Sequence, residues 1–190
     1  MDFAKNYISD FRDVVSFSVQ RKRAVPRKWS PPVADQVKIN YDGAMFGESD
    51  MAGIGVVIRN CEGQVMAALS EQIAKPPPVD FLELLVARRA VFFSAQSDYV
   101  QGVCEGDFES VVNALKGSGM ENSRGEHLIK DILSHSNFFQ SMSFTHVGRQ
   151  GNAVAHALTQ RVRSSPFSQV WLECVPMDIM SFVLHDLPIS

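Results

Sequence analysis

Three acidic residues stand where strand and helix ends could carry their side chains to one point. Asp42 follows an alternating strand-like stretch, Glu83 lies in the first turn of a stretch with helical spacing, and Asp107 follows a short apolar run. Carboxylates that converge with no basic partner nearby in sequence need a cation, because close like charges raise one another's pKa. Oxygen ligands alone suit Mg²⁺ or Mn²⁺ rather than zinc. The pattern predicts metal-dependent chemistry, and two such ions can promote phosphodiester hydrolysis.

Each carboxylate also has an ordinary structural interpretation. Asp42 and Gly43 form a common turn dipeptide, Asp107 precedes a helical stretch and could be its N-cap, and Glu83 could lie on the polar stripe of its helix. The three together favour a site. In a mixed sheet the first and fourth strands can be neighbours, which would place Asp42 and Asp107 side by side, with the helix that carries Glu83 above them.

The elements that must position these residues follow from the hydrophobic periodicity. Three strands with a turn at Gly63 predict an antiparallel meander, and the later segments alternate between helix and strand. The predicted strands cover residues 37–44, 53–58, 64–70, 100–105 and 141–147, and the predicted helices cover about 79–97, 108–117, 125–134 and 152–161. The order βββαβααβα predicts an α/β fold with a mixed five-stranded sheet flanked by helices.

The chain has 190 residues and reads as one domain with short additions. We predict an N-terminal helical extension with a basic linker over residues 1–30, a main domain over 31–164 and a C-terminal tail over 165–190. The basic cluster at 21–28 could be a nuclear-localisation signal, an arm that contacts phosphates or a solvated linker. The main body is acidic, since residues 31–190 carry 11 Lys or Arg and 18 Asp or Glu. This charge argues against tight non-specific binding of phosphates, although bound divalent cations would offset it.

Three widely spaced cysteines with no CxxC pair argue against a disulfide framework or a zinc site. We therefore expect a reducing intracellular compartment, nuclear or cytoplasmic. No apolar run approaches the ~20 residues that span a bilayer, so no membrane partner is expected. The sequence does not indicate an oligomeric state.

The motifs together resemble type 1 ribonuclease H, in particular the plant retrotransposon-derived branch of the ribonuclease H-like superfamily. The resemblance covers residues 29 to about 162 and extends to the tail pattern Trp171-Leu-Glu-Cys-Val-Pro176. The matching segments are Trp29-Ser-Pro-Pro, Lys38-Ile-Asn-Tyr-Asp42-Gly-Ala, Gly53-Ile-Gly-Val-Val-Ile-Arg59, Leu82-Glu-Leu-Leu-Val-Ala-Arg-Arg-Ala, Glu105-Gly-Asp107 and His146-Val-Gly-Arg149-Gln-Gly-Asn152-Ala-Val-Ala-His156-Ala-Leu.

The resemblance implies a ribonuclease H-like fold and an endonuclease that hydrolyses the RNA strand of RNA/DNA hybrids. It implies Asp42, Glu83 and Asp107 as ligands of two Mg²⁺ or Mn²⁺ ions. The fourth acidic position of the family corresponds to His156 here. Imidazole is a poor Mg²⁺ ligand and prefers Mn²⁺ or softer metals, so His156 is either an auxiliary ligand and tolerated variant, a mark of weakened catalysis, or a satisfied histidine on an inner helix face.

Three further residues are candidates for substrate binding. Arg149 lies about where the family keeps a mobile histidine, and because arginine is a poor proton shuttle near neutrality, a phosphate contact suits it better. Asn40 and Asn113 could reach a minor groove, where a 2′-hydroxyl distinguishes RNA from DNA. Their alternative interpretation is ordinary polar surface. Asn152 is expected to cap the last helix.

Two other functions compete with the hybrid endonuclease. One is a catalytically weakened or inactive ribonuclease H-like domain that binds nucleic acid or protein, which the acidic body and His156 favour. The other is an exonuclease of the same superfamily, which the early βββ meander followed by Glu83 on a helix fits less well. The intact carboxylate triplet favours the enzyme, since a purely structural fold gains little from clustered buried carboxylates.

Overall fold

The sheet starts with the predicted antiparallel meander of β1 (Val37–Met45), β2 (Met51–Arg59) and β3 (Val65–Ala74). These contacts come from a computed structural model that describes residues 28–47, 49–76, 79–97, 99–118, 125–165 and 167–187. The predicted helix within residues 1–20 and most of the basic linker lie outside the described residues. The turn between β2 and β3 contains Gly63 with a positive φ of 80°, a conformation that glycine adopts without strain.

Two parallel strands extend the sheet beyond β1. β4 (Gln101–Gly106) pairs with β1, and β5 (Ser141–His146) pairs with β4, so that Asn40 stands opposite Glu105. Since β1 and β4 run in the same direction, their carboxyl ends lie at one edge of the sheet. Asp42 is in the last half of β1 and Asp107 directly follows β4, which brings both to that edge.

A sixth strand departs from the predicted count of five. β6 (Gln169–Leu172) pairs antiparallel with β3, which gives the order β5-β4-β1-β2-β3-β6. Its four residues alternate between half-buried and exposed, so its pairing depends on β3 rather than on a strong local pattern. The α/β class and the mixed sheet are confirmed, and the number of strands is corrected to six.

The helices follow the predicted order, with one addition at the C-terminal end. They are α1 (Val79–Ala95), α2 (Glu109–Leu115), α3 (Glu126–Ser136), α4 (Ala153–Arg161), which follows a short 3₁₀ turn at Arg149–Asn152, and the additional α5 (Met180–Asp186). Within the described residues, none of them has the length and hydropathy needed to cross a membrane.

Two hydrophobic cores lie on the two faces of the sheet. The larger one packs α1 against Ile39, Tyr41 and the alternate residues of β2, and the smaller one packs α4 and α5 against Val57 and Ala68. Trp29 is also buried. The division at residues 30 and 164 stays a prediction, but Trp29 and α5 pack into the same body as the sheet.

Glycines in β2 determine how closely α4 approaches the sheet. A Cβ atom on Gly55 would lie 2.2 Å from the carbonyl oxygen of Ala155, and one on Gly53 would lie 2.7 Å from that of Thr159. Real Cβ atoms do not approach backbone oxygens this closely, so only glycine permits this packing. The close approach places the α4 side chains against the end of β1, where Asp42 lies.

Candidate active site

Three residues from the turn and helix that follow β5 hold Asp42 in place near the carboxyl end of β1. Its side chain contacts His156, whose Nδ1 lies 2.9 Å from Oδ2 of Asp42. The Thr159 hydroxyl donates to the Asp42 carbonyl oxygen at 2.9 Å, and the Asn152 amide donates to the carbonyl oxygen of Tyr41 at 2.8 Å. Asp42 is only 5% exposed. Burial and the charge of Asp107 raise its pKa, and the contacts of His156 and Thr159 partly oppose that rise.

Glu83 carries the most perturbed carboxyl of the three. It is 5% exposed on the inner side of α1, and burial, reinforced by the charges of Asp42 and Asp107, raises its pKa to about 8. Its Oε2 atom is buried without a hydrogen-bond partner. A buried polar atom without a partner is costly, so this oxygen is available for a ligand.

Gly43 allows α1 to approach β1 closely. A Cβ atom there would lie 2.9 Å from Cγ2 of Val86 and 3.4 Å from Oε1 of Glu83. The residue after Asp42 therefore has to be small for the carboxylate of Glu83 to reach the end of β1.

Asp107 completes the group from the end of β4. It is half-buried, and its charge acts on both Asp42 and Glu83. Nε2 of His146 lies 3.2 Å from the carbonyl oxygen of Asp107. The alternative role of Asp107 as an N-cap is not adopted, because Phe108 precedes α2 and no side chain caps that helix.

The donor set fits a divalent cation. Among the residues that the structure describes, Asp42, Glu83 and Asp107 form no ion pair with lysine or arginine, although Asp42 and Glu83 are buried and the charge of Asp107 helps to raise the pKa of both. A cation would offset this like-charge repulsion and satisfy Glu83 Oε2. The same described residues contain no group of three or more His, Cys, Asp or Glu side chains already arranged to hold a metal ion. The carboxylates are coupled through their charges, but their side chains would have to move to share an ion.

His156 is directed at the site rather than buried in a core. Its side chain is 42% exposed, and its ring contacts the Asp42 carboxylate. This position excludes the interpretation of His156 as a satisfied histidine on an inner helix face. It leaves the predicted roles of auxiliary ligand or of a substitute that weakens catalysis.

Residues 40–162 match the reverse transcriptase-like family. This match includes the strand, the helices and the loop that carry all four candidate residues. The chain belongs to the reverse transcriptase-like family. Its fold is that of the ribonuclease H-like superfamily, as the resemblance implied.

A plant relative and several solved structures agree with this family. The chain is 27% identical over 161 residues to an Arabidopsis thaliana protein named "Putative ribonuclease H protein", covering 83% of this chain and 25% of that protein. It thus spans about a quarter of the length of this curated relative. The RNase H1 of Halobacterium salinarum superposes with a TM-score of 0.63 at 23% identity, covering 68% of this chain and 98% of that one.

Two further structures show the same fold. The N-terminal RNase H domain of a Mycobacterium tuberculosis protein superposes with a TM-score of 0.60 at 18% identity, covering 68% of this chain and 94% of that one. LC11-RNase H1, solved in complex with an RNA/DNA hybrid, superposes with a TM-score of 0.58 at 22% identity, covering 66% of this chain and 94% of that one.

The residues predicted to bind substrate lie in different environments within this family fold. Arg149 is exposed at the start of the 3₁₀ turn, and Asn113 is exposed on α2. Asn40 is 0% exposed, and both its amide oxygen and its amide nitrogen bond to other side chains. A side chain with no exposed surface cannot contact a duplex bound to the protein. We therefore do not include Asn40 among the proposed substrate contacts.

Asn40 instead belongs to a buried polar network. Its Oδ1 accepts hydrogen bonds from Trp29 Nε1 at 2.9 Å and from Arg59 at 3.2 Å, and its amide donates to Glu105 at 3.1 Å. Arg59 pairs with Asp186 of α5 at 2.7 Å, and its guanidinium stacks on the Trp29 ring at 3.7 Å. Burial lowers the pKa of Arg59, and the contact with Asp186 opposes that shift.

The network lies directly before the site along both parallel strands. Asn40 and Glu105 each precede a candidate carboxylate by two residues, and Lys38 joins them through an ion pair with Glu105 at 2.9 Å. Sequence reasoning gave no role to Glu105. The signal was available, since Glu105 lies near the end of β4 and only two residues before Asp107.

Asn152 and Thr159 also support the site in ways that the sequence did not reveal. Asn152 occupies the predicted cap position, but its side chain makes no cap hydrogen bond and donates to Tyr41 instead. Thr159 lies three residues after His156 on the same helix face. That spacing was the signal for its contact with β1.

Proposed function

We propose that this chain is a divalent-metal-dependent endonuclease that hydrolyses the RNA strand of RNA/DNA hybrids. The observation that carries the proposal is the coupling of three carboxylates from β1, α1 and β4, with the pKa of Glu83 raised to about 8 and its Oε2 unpaired. A fold without a cation would gain little from such an arrangement.

Asp42, Glu83 and Asp107 would hold two Mg²⁺ or Mn²⁺ ions at the carboxyl ends of β1 and β4. When bound, these ions activate water and stabilise the leaving oxygen of a phosphodiester. His156 orients the Asp42 carboxylate through Nδ1 and would act as an auxiliary ligand of the ions. The hydrogen bonds of Thr159 and Asn152 to the backbone of β1 hold Asp42 in one position.

The substrate part of the proposal rests on likeness and on exposed groups. LC11-RNase H1, which shares the fold, was solved with an RNA/DNA hybrid. Arg149 is exposed at the start of the 3₁₀ turn before α4, and Asn113 is exposed on α2, the helix that follows Asp107. Arg149 would contact a backbone phosphate, and Asn113 would contact the minor groove of the hybrid.

The test is cleavage of a fluorophore-labelled RNA/DNA hybrid, with Mg²⁺ and Mn²⁺ supplied separately. We expect the RNA strand to be cut by the wild-type protein and not by Asp42→Asn. The matched control is Asp35→Asn, an exposed aspartate before β1 with a φ of 66°, which asparagine also tolerates. Absence of cutting in either metal, from a folded protein, would contradict the proposal.

A second function is a non-catalytic domain that binds nucleic acid or protein. It is favoured by the contact between His156 and Asp42, which occupies one carboxylate, and by the acidic body of the chain. The variant His156→Asp separates the two functions. An enzyme should keep or gain Mg²⁺-dependent cleavage, because a carboxylate is the better Mg²⁺ ligand, whereas a binding domain should show none.

A further inference from the structure

A nucleic-acid duplex would meet an acidic protein surface, so local cations must anchor it. The argument rests on the proposed function, since it concerns how the same site holds its substrate. Most described lysines and arginines are engaged in ion pairs with carboxylates. Those in the described ranges with no such pair are Lys28, Lys75, Lys116, Arg149 and Arg163.

Arg163 and Lys75 both contact Phe46, which is four residues after Asp42 in the chain. The Arg163 guanidinium lies 4.9 Å from the centroid of the Phe46 ring, and Nζ of Lys75 lies 3.5 Å from the Phe46 carbonyl oxygen. Phe46 follows β1 directly and is buried, which gives the Arg163 side chain a rigid surface to stack on. A stacked guanidinium keeps its planar donors free for an oxyanion.

Phe46 and Arg163 border an open cavity of about 480 Å³, and Lys75 lies outside its lining but contacts Phe46. Its lining includes Phe46 and Arg163 together with the hydroxyl of Ser49 and the amide of Gln72. The cavity thus combines a cation with two neutral hydrogen-bonding groups and has room for a phosphodiester. Its polar groups suit an anion.

The position of Arg163 in the chain shows how this cavity is placed relative to His156 and the carboxylates. His156, Thr159 and Arg163 follow one another at spacings of three and four residues, so they lie along one side of α4 and its C-terminal turn. Seven residues of helix span ~10 Å.

We propose that Arg163, Lys75 and Phe46 form a binding site for a backbone phosphate of the hybrid other than the scissile phosphate. Arg163 contacts the phosphate oxygens, Phe46 holds its guanidinium in place, and Lys75 adds a second positive charge. The site reads no base, so it fixes the register and orientation of the duplex.

The test compares Arg163→Ala with Arg88→Ala, which removes the same charge from the surface of α1, where Arg88 pairs with Asp131. Binding of a labelled hybrid is measured by fluorescence anisotropy at several salt concentrations in the Asp42→Asn background. We expect Arg163→Ala to weaken binding about 5- to 20-fold and to reduce the salt slope by about 1. Arg163→Lys should fall between wild type and alanine, since it keeps the charge but loses the planar stack.

Kinetics on the otherwise wild-type enzyme supply a second measurement. Arg163→Ala should raise KM, while the unfolding midpoint stays unchanged. A loss in kcat with KM unchanged would mean that Arg163 acts through α4 and His156, and would overturn the phosphate site. Binding no weaker than that of Arg88→Ala would also overturn it and leave the endonuclease intact. A folded wild-type protein that neither binds nor cleaves the hybrid would refute both proposals.

Discussion

The Glu83 carboxyl couples the candidate site to the stability of the fold. Its pKa is about 8 in the folded protein, against an ordinary value of 4.5. Between these two pH values the folded chain holds a proton that the unfolded chain releases. Stability of the metal-free protein therefore falls as pH rises through this window.

Glu83→Gln should stabilise the metal-free protein at alkaline pH. The amide has nearly the same shape and does not ionise, so the gain should be on the order of 2–4 kcal/mol at pH 8 and should vanish near pH 4.5. Urea unfolding with a chelator present, at both pH values, measures the difference. Equal stability of wild type and Glu83→Gln at pH 8 would show that burial does not perturb this carboxyl.

Metal binding should reverse the same effect. A divalent ion bound at the proposed site would replace the proton on Glu83, so its affinity should rise with pH up to about 8. We expect Mg²⁺ or Mn²⁺ to raise the unfolding temperature more at pH 8.5 than at pH 6.5. An ion at 100 times its Kd adds about 2.7 kcal/mol to the free energy of unfolding. Differential scanning fluorimetry measures the shift in unfolding temperature. Persistence of the full shift in Asp42→Asn would place the ion elsewhere.

At the scale of elements, the site depends on how closely α4 approaches β2. His156, Thr159 and Asn152 can act on β1 only because Gly53 and Gly55 leave room for the helix backbone. If a methyl group at Gly53 or Gly55 pushed α4 away from the sheet, His156 would lose its contact with Asp42. The glycines of β2 are therefore part of the site, although they carry no side chain into it.

Gly55→Ala should destabilise the fold by roughly 3 kcal/mol or more, because the added Cβ meets backbone atoms that cannot yield. It should also reduce any cleavage activity by displacing His156. The matched control is Gly148→Ala, where a Cβ would meet no heavy atom within 4 Å. Equal unfolding free energies for the two variants, measured in urea, would contradict this account of the packing.

The sequence predicted the helices and strands whose hydrophobic residues recur with a strong period. It also predicted the functional residues at the ends of those elements. Asp42, Glu83 and Asp107 could be grouped because strand and helix periodicity fixes where each element stops. β6 could not be recognised, since its four residues pair with β3 only after α4 and the following loop have returned the chain to the sheet edge. The additional helix α5 lies in the same C-terminal segment as β6 and was not predicted either.

Asn40 illustrates a second limit. Alternation along β1 shows that Asn40 shares a face with Asp42, but it does not show whether that face is covered. Trp29 and the Arg59–Asp186 pair cover it, and they come from distant parts of the chain. Coverage by remote segments is a tertiary property, so a buried amide and an exposed substrate contact look alike in sequence.

At the scale of the whole molecule, α5 is joined to the sheet by a buried ion pair. Asp186→Asn should cost about 3–5 kcal/mol, because it leaves the buried Arg59 guanidinium without its counter-charge. Asp178→Asn, which removes the exposed partner of Arg161, should cost no more than about 1 kcal/mol. Urea unfolding of both variants tests the contrast. A cost for Asp186→Asn as small as that for Asp178→Asn would mean that α5 adds little to the fold.

Trp29 and Leu187, which are far apart in sequence, both lie against Gly63. A Cβ atom at this glycine would lie 2.6 Å from Leu187 and 3.4 Å from Trp29, so both side chains rest against the same turn. A short Gly/Ser linker could therefore join residue 187 to residue 29, and the chain could be reopened at another exposed loop. Circular permutation would keep every sheet contact and would place both new ends at a chosen distance from the carboxylates.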